Sequence, residues 1–306
     1  MFEWCKNRLE ITGRSVFIDI MLPWVTGAEA PLYRQAIQQS IRLFLAGAGG
    51  LLKPIKSVEY LPFPGLVAHG TGTAIAQNLA FQHWLELLLK DAVLNQDSIR
   101  QIERIYLQSG LASVKWETIP GDARQIMTQL MICQYADWFG MAGWSTFIDG
   151  GECWEKLGIM PERACNCDML MIMPSRLAVE LNGNGRLLAG IATTGSLYSQ
   201  LHGMEWPCGH NVVWSRDRIN CLKLEFDSPS YPPSGELMGE LSAVFDCEIR
   251  HWYNEPVNGI QGYDCYDRGD QVDSGEYGAG PFADRLVSLP AELEPANGQV
   301  NLSLSA

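Results

Sequence analysis

Basic side chains are scarce: 22 Lys and Arg stand against 35 Asp and Glu in 306 residues, a net charge of −13 with the histidines neutral and a pI near 4.8. A surface of that sign repels a phosphate backbone, so nucleic acid is disfavoured as a partner. Long apolar runs are missing as well. The longest, Leu43 to Leu52, is broken by Gly47, Gly49 and Gly50 and falls short of the roughly 20 residues that cross a bilayer, so no membrane contact is expected. The first residues, Met1 to Lys6, lack a basic stretch followed by an apolar one. No export signal is read, and the chain is read as cytoplasmic. Nine cysteines in so long a chain do not make a secreted disulfide scaffold, and they read as reduced. Gly-x-Ser-x-Gly, His-Glu-x-x-His, the Gly-Lys-Ser/Thr end of a phosphate loop and a Cys-x₂-Cys-x₂-Cys run are all absent. No cofactor is therefore expected.

What is present folds. Apolar residues make up 47% of the chain, with ten each of Trp, Tyr and Phe, enough burial to exclude disorder over most of its length. The acids are uneven: residues 246–306 hold eleven against three arginines, −8 of the total −13. Asp264, Asp267, Asp270, Asp273 and Glu276 read either as a solvated hairpin or as an anionic docking face. Their spacing does not match a calcium loop.

Residues 7–12 alternate polar and apolar up to Gly13 and predict a strand with Leu9 and Ile11 inward. Val16, Phe17, Ile20 and Met21 follow at helical spacing, with Pro23 closing the segment. Helical stripes then run from Leu32 to Leu45, from Thr73 to Leu94, from a cap at Asp97 to Gln108, and from a cap at Asp122 to Gly140. After Trp144 glycine and proline rise. Residues 176–181 and 186–191 flank Asn182-Gly183-Asn184-Gly185 and predict a hairpin. Residues 222–227, 234–245, 248–253 and 261–266 read as strand, helix, strand and strand, half of a ferredoxin-like sandwich that the opening strand and helix would complete. The expected fold is α+β, a ferredoxin-like α/β sandwich built from the N-terminal strand and the C-terminal region, with a large helical insertion. The expected regions are 1–24 for its first strand and helix, 25–160 helical, 161–219 a β-rich connection with the hairpin, 220–278 the C-terminal ferredoxin-like region, and 279–306 a loose tail.

Two segments carry a likeness. The opening Trp4-Cys5-Lys6-Asn7-Arg8-Leu9 resembles the start of the YubB-like proteins of enterobacterial plasmids and genomic islands. The run from Ser228-Pro229 through Tyr253-Asn254-Glu255-Pro256 to Gly262-Tyr263 is similar to their C-terminal ferredoxin-like domain. The resemblance is sharp over about 60 residues. It implies an accessory protein of a mobile genetic element and transfers no catalytic residue.

Candidate chemistry is sparse. Cys153, Cys165, Cys167, Cys208 and His210 could hold tetrahedral zinc, but the one-residue gaps in Cys165-Asn166-Cys167 and Cys208-Gly209-His210 are shorter than usual structural spacing. His69-Gly70-Thr71-Gly72-Thr73 opens a helix and reads as its leading loop or as an anion site. His83 and His251 read as packed or surface histidines. On the open sheet Arg250, Trp252, Tyr263 and Tyr266, with Asp264, Asp267 and Asp270, form a candidate interaction surface where aromatic side chains could stack on bases. The leading functional reading is a non-enzymatic interaction protein with a protein partner, acting on a host or defence function. Two others stand beside it: an enzyme with a pocket between helical block and sheet, where Trp and His side chains meet, and a nucleic-acid-binding sheet.

Overall fold

In a computed structural model of the chain, which describes residues 3–140, 148–277 and 282, the first strand is β1 (Trp4–Gly13). The tail expected over 279–306 lies, Phe282 apart, outside the described residues. Strict alternation buries Cys5, Asn7, Leu9 and Ile11 on one face of β1. The chain continues through α1 (Ser15–Val25), α2 (Leu32–Ala48), α3 (Ala76–Leu89), α4 (Gln96–Ser109), α5 (Gly121–Cys133), α6 (Tyr135–Phe139), α7 (Gly150–Lys156), α8 (Leu177–Asn182) and α9 (Thr194–His202). It then enters β2 (His210–Arg218), β3 (Cys221–Pro229), α10 (Gly235–Val244), β4 (Cys247–Glu255), β5 (Ile260–Asp267) and β6 (Asp270–Gly275).

The six strands form one sheet in the order β2-β3-β1-β4-β5-β6. The first strand therefore lies between two strands more than 200 residues away. Leu9 faces Leu224 and Ile11 faces Leu222 on one side, and Ile11 faces Ile249 on the other. The units β1-α1, β2-β3 and α10-β4 make a ferredoxin-like sandwich, with α2 to α9 inserted after α1 and the β5-β6 hairpin added beyond β4. Its core joins Leu9, Ile11, Leu222, Leu224 and Ile249 to Ile18, Met21 and Trp24 of α1 and Leu237, Met238 and Leu241 of α10.

The covering face of α1 differs from the expected one. Val16 and Ile20 are exposed, whereas Ile18, Met21, Trp24 and Val25 are buried. The helix also runs past Pro23. Trp24 supplies the reason: its Nε1 donates to the Asp168 carbonyl at 2.8 Å, which turns the helix so that this ring faces inward.

The helical block is built around α2, from Tyr33 to Ala48 largely buried. It passes through Gly47, where the Phe81 ring fills the space a Cβ would need. Two caps shift from expectation. Asn95, not Asp97, caps α4, its side chain accepting from Ser98 N at 3.0 Å. At α5 the cap position is Pro120, with Asp122 inside the first turn. The stripe after Asp122 is two helices broken at Gln134.

The predicted hairpin at 176–191 is not formed, and most of the β-rich connection expected over 161–219 is helical and irregular up to β2. Residues 177–182 are α8, with Leu177, Ala178, Val179 and Leu181 all buried. Burial on nearly every side removes the alternation that a strand requires. Asn182 organises the loop that follows, its Nδ2 donating to the Ile191 and Ala192 carbonyls and its Oδ1 accepting from Leu187 N and Leu188 N. Asn182→Ala would strand two carbonyls and two N–H groups at a buried position. It is expected to destabilise the chain by more than about 2 kcal/mol, read as a lowered Tm in thermal denaturation.

Candidate functional site

A cleft of about 770 Å³ opens where the inserted helices meet the sheet. Each wall comes from a different element. Tyr33 and Arg34 stand on the first turn of α2, Trp138 on α6, Glu180 on α8 and Tyr198 on α9, while Trp206, Cys208 and His210 lead into β2. A second cleft of similar volume is lined mainly by Thr, Ser, Gly, Asn and aliphatic residues, with Lys53 its one charged side chain. The junction cleft is the one that concentrates titratable groups.

Two carboxyl–tyrosine pairs mark it, one buried (Tyr33 with Asp168) and one half-buried (Tyr198 with Glu180). Asp168 is fully buried and accepts from Tyr33 OH at 2.7 Å and from Leu170 N at 3.2 Å. The Arg34 guanidinium stands 3.6 Å from its Oδ2. Burial raises the Asp168 pKa, with the Tyr33 bond and the Arg34 charge pulling the other way. Glu180 accepts from Tyr198 OH at 2.5 Å; burial likewise raises its pKa against that bond. Both tyrosines are pushed up, first by burial and then by their carboxylates. Burial opposes the charge on Arg34, yet Tyr33 and Asp168 hold its pKa above the ordinary value. The arrangement makes both carboxyls easier to protonate than they are in water and places a cation beside aromatic walls.

The expected zinc set is not assembled as a set of five. Cys153 lies in the core of the helical block and Cys167 in the core of the sandwich, both as free thiols whose pKa burial raises. Cys165 and Cys208 form a disulfide with Cα atoms 6.1 Å apart, which corrects the reading of all nine cysteines as reduced. His210 sits in the cleft wall against the Trp4 ring at 4.8 Å and near Trp206. Burial lowers its pKa, and its Nε2 is buried without a hydrogen-bond partner among the described residues. Among the described residues, the group able to hold one metal ion is Cys165, Asp168 and Cys208.

The open-sheet surface divides. Arg250 lies over the Trp252 ring at 5.8 Å, and Tyr263 pairs across from Trp252 and donates to Asp273 at 3.1 Å. These three share the uncovered face with Arg8 and Glu225, which form an ion pair at 3.5 Å. Tyr266 is a correction: at 3% exposure it belongs to the sandwich core. Asp264 pairs across from His251, on the opposite face from Trp252, and accepts from Gln271. Asp267 pairs with Arg268, and Asp270 is exposed at the turn into β6. The five acids therefore do not share one face. In the loop 69–73 that leads into α3, Gly70 N donates to Val67 O and Gly72 N to Pro54 O. His83 is exposed on α3, and His251 is buried.

The cleft residues Tyr33, Arg34, Glu180 and Tyr198, and Asp168 buried behind Tyr33, carried no signal in the sequence. They lie as far as 165 residues apart, and only the turn of the insertion back onto the sheet unites them.

A ferredoxin-like sheet, a helical block inserted after its first helix, and a cleft at their junction define the class of this protein. The chain belongs to the family described as "Protein of unknown function (DUF1281)", whose model matches residues 30–206. A second model, "Ferredoxin-like domain in Api92-like protein", matches 209–281. The chain is similar to the crystal structure of protein Api92 from Yersinia pseudotuberculosis, with a TM-score of 0.90 and 76% identity, covering 92% of this chain and all of that one. It is also similar to two Escherichia coli K12 proteins. "Uncharacterized protein YubA" is 36% identical over 54% of this chain and 98% of its own length. "Uncharacterized protein YubB" is 36% identical over 35% of this chain and 74% of its own length. Among the described residues no helix is long and apolar enough to cross a membrane.

Proposed function

We propose that this chain is a cytoplasmic accessory protein of a mobile genetic element that works by binding. Its junction cleft takes a small ligand with a flat aromatic body and an acidic group, and the filled cleft is what a host or defence protein then meets. The observation that carries the binding reading is the convergence of Arg34, Glu180, Tyr198, Trp138 and Trp206 on one cavity of ligand size. Arg34 suits the acidic group and the indoles suit the flat body. The mobile-element setting draws on the opening and C-terminal motifs shared with YubB-like proteins. A thermal-shift survey of nucleotides and aromatic acids tests the reading. A ligand at about 100 times its Kd adds about 2.7 kcal/mol, so a clear rise in Tm is expected, absent in Arg34→Gln. No shift with any compound refutes it.

A second reading has its own observation. Glu180 has a raised pKa and a 2.5 Å bond from Tyr198, the environment of a general acid. Turnover of a compound that binds, lost in Glu180→Gln while binding persists, would favour an enzyme. Binding without turnover favours the first reading.

A further inference from the structure

We propose that Cys165, Asp168 and Cys208 form a zinc site once their disulfide is reduced. This goes beyond the cleft-binding reading and does not depend on it.

The two sulfurs and a carboxylate oxygen of Asp168 lie within 4.8 Å of one another. With Zn–S near 2.3 Å and Zn–O near 2.1 Å, tetrahedral geometry places neighbouring ligand atoms about 3.5–3.8 Å apart. Small side-chain rotations from the present positions reach that spacing. The backbone already holds the two ligand-bearing stretches together without help from the disulfide. Gly209 N donates to Asn166 O at 2.9 Å and Met169 N to Pro207 O at 2.9 Å, while Cys167 N to Trp24 O at 3.0 Å ties the first stretch to α1. Asp168 is oriented by Tyr33 OH and Leu170 N, the kind of outer support that ligating carboxylates have.

Charge closes the argument. Two thiolates and one carboxylate carry −3, and a divalent ion leaves −1. The Arg34 guanidinium, 3.6 Å from Asp168 Oδ2 and 3.7 Å from Cys165 Sγ, supplies the balancing positive charge. The site becomes neutral where an isolated charge would be costly. Cys208 lines the cleft, so a fourth position on the ion faces solvent or a cleft ligand.

The chemistry balances. An added phosphine gives up two electrons and becomes its oxide, water supplying the oxygen and two protons (or two added thiols become a disulfide and supply both electrons and protons); the S–S bond breaks and two thiols result. The ion then displaces both thiol protons. Oxidising conditions favour the disulfide and reducing conditions the metal.

The test uses the full chain, fully reduced and freed of reductant without oxygen, then titrated with Co(II) as a spectroscopic probe and with Zn(II) for elemental analysis. The expected result is one ion per reduced chain, a thiolate-to-cobalt charge-transfer band, and no uptake by the oxidised chain. Cys165→Ser and Cys208→Ser, both at half-buried positions, should each cut affinity at least tenfold, whereas Cys133→Ser, an exposed thiol elsewhere, should not. Asp168→Asn should weaken binding, with circular dichroism confirming that the variant folds. Reduced wild-type chain that takes up no metal, or Cys208→Ser that binds like wild type, overturns the proposal.

Discussion

Replacing Ile11 by alanine is expected to lower the unfolding free energy by about 2–5 kcal/mol, a large share of the roughly 5–15 kcal/mol that holds a domain folded. Ile11 has no exposed surface and meets Leu222 on one side and Ile249 on the other. Its strand is central, so neither the sheet nor the two covering helices can collapse into the cavity without giving up backbone pairing. Ile20→Ala, on the exposed side of α1, should fall within about 0.5 kcal/mol of wild type. Deleting residues 1–13 should do more than either. It would leave β3 and β4 with unpaired facing edges and remove the cooperative transition of the C-terminal sheet. Urea unfolding followed by far-UV circular dichroism reads all three. An Ile11→Ala loss below about 1 kcal/mol, or a C-terminal sheet that melts unchanged in the deletion, would contradict this account.

The same strand shows what could be read from sequence. Alternation in residues 7–12 and in 222–227 is a local signal, and the need to enlarge one apolar face and pair the open edges of a short sheet sufficed to join them across the insertion. Residues 176–191 show the opposite case. Asn-Gly pairs and alternating apolar residues look like a hairpin, but α8 is buried on nearly every side, and Asn182 spends its amide on the following loop rather than on a turn. Burial on all sides erases periodicity, so helix and strand become indistinguishable locally. The cleft was legible only as a place, the junction of block and sheet. Its chemistry depends on Tyr33 meeting Asp168 and Tyr198 meeting Glu180, contacts that no spacing rule encodes. Cys165 and Cys208 were singled out for their residue type, while Asp168 was missed because a lone acid in an irregular stretch usually faces water.

Acid should destabilise the sandwich through His251, and the variant His251→Gln should flatten that dependence. The imidazole is buried in β4 at 1% exposure, and burial lowers its pKa from 6.5 to about 3. Asn7 explains how the neutral ring is held. Its Nδ2 donates to Cys5 O and Ser228 Oγ, which leaves Oδ1 to accept from His251 Nε2 at 3.0 Å. That contact assigns the ring hydrogen to Nε2. The unfolded chain has an ordinary histidine, so between pH 6.5 and about 3 the unfolded state binds a proton that the folded state refuses. Stability therefore falls with pH across that window by about 1.4 kcal/mol per pH unit from this residue alone. Above pH 6.5 both states are neutral there, and His251 adds no slope. Glutamine can still donate to Asn7 but does not titrate. The wild-type and His251→Gln stabilities, measured by urea unfolding from pH 7.5 down to 4.5, should differ in slope by about one proton below pH 6. His202 and His210, whose pKa values burial also lowers, contribute equally to both chains and cancel in the difference. Parallel curves would mean that His251 takes up its proton within the fold, and would sink the assignment of a neutral buried imidazole.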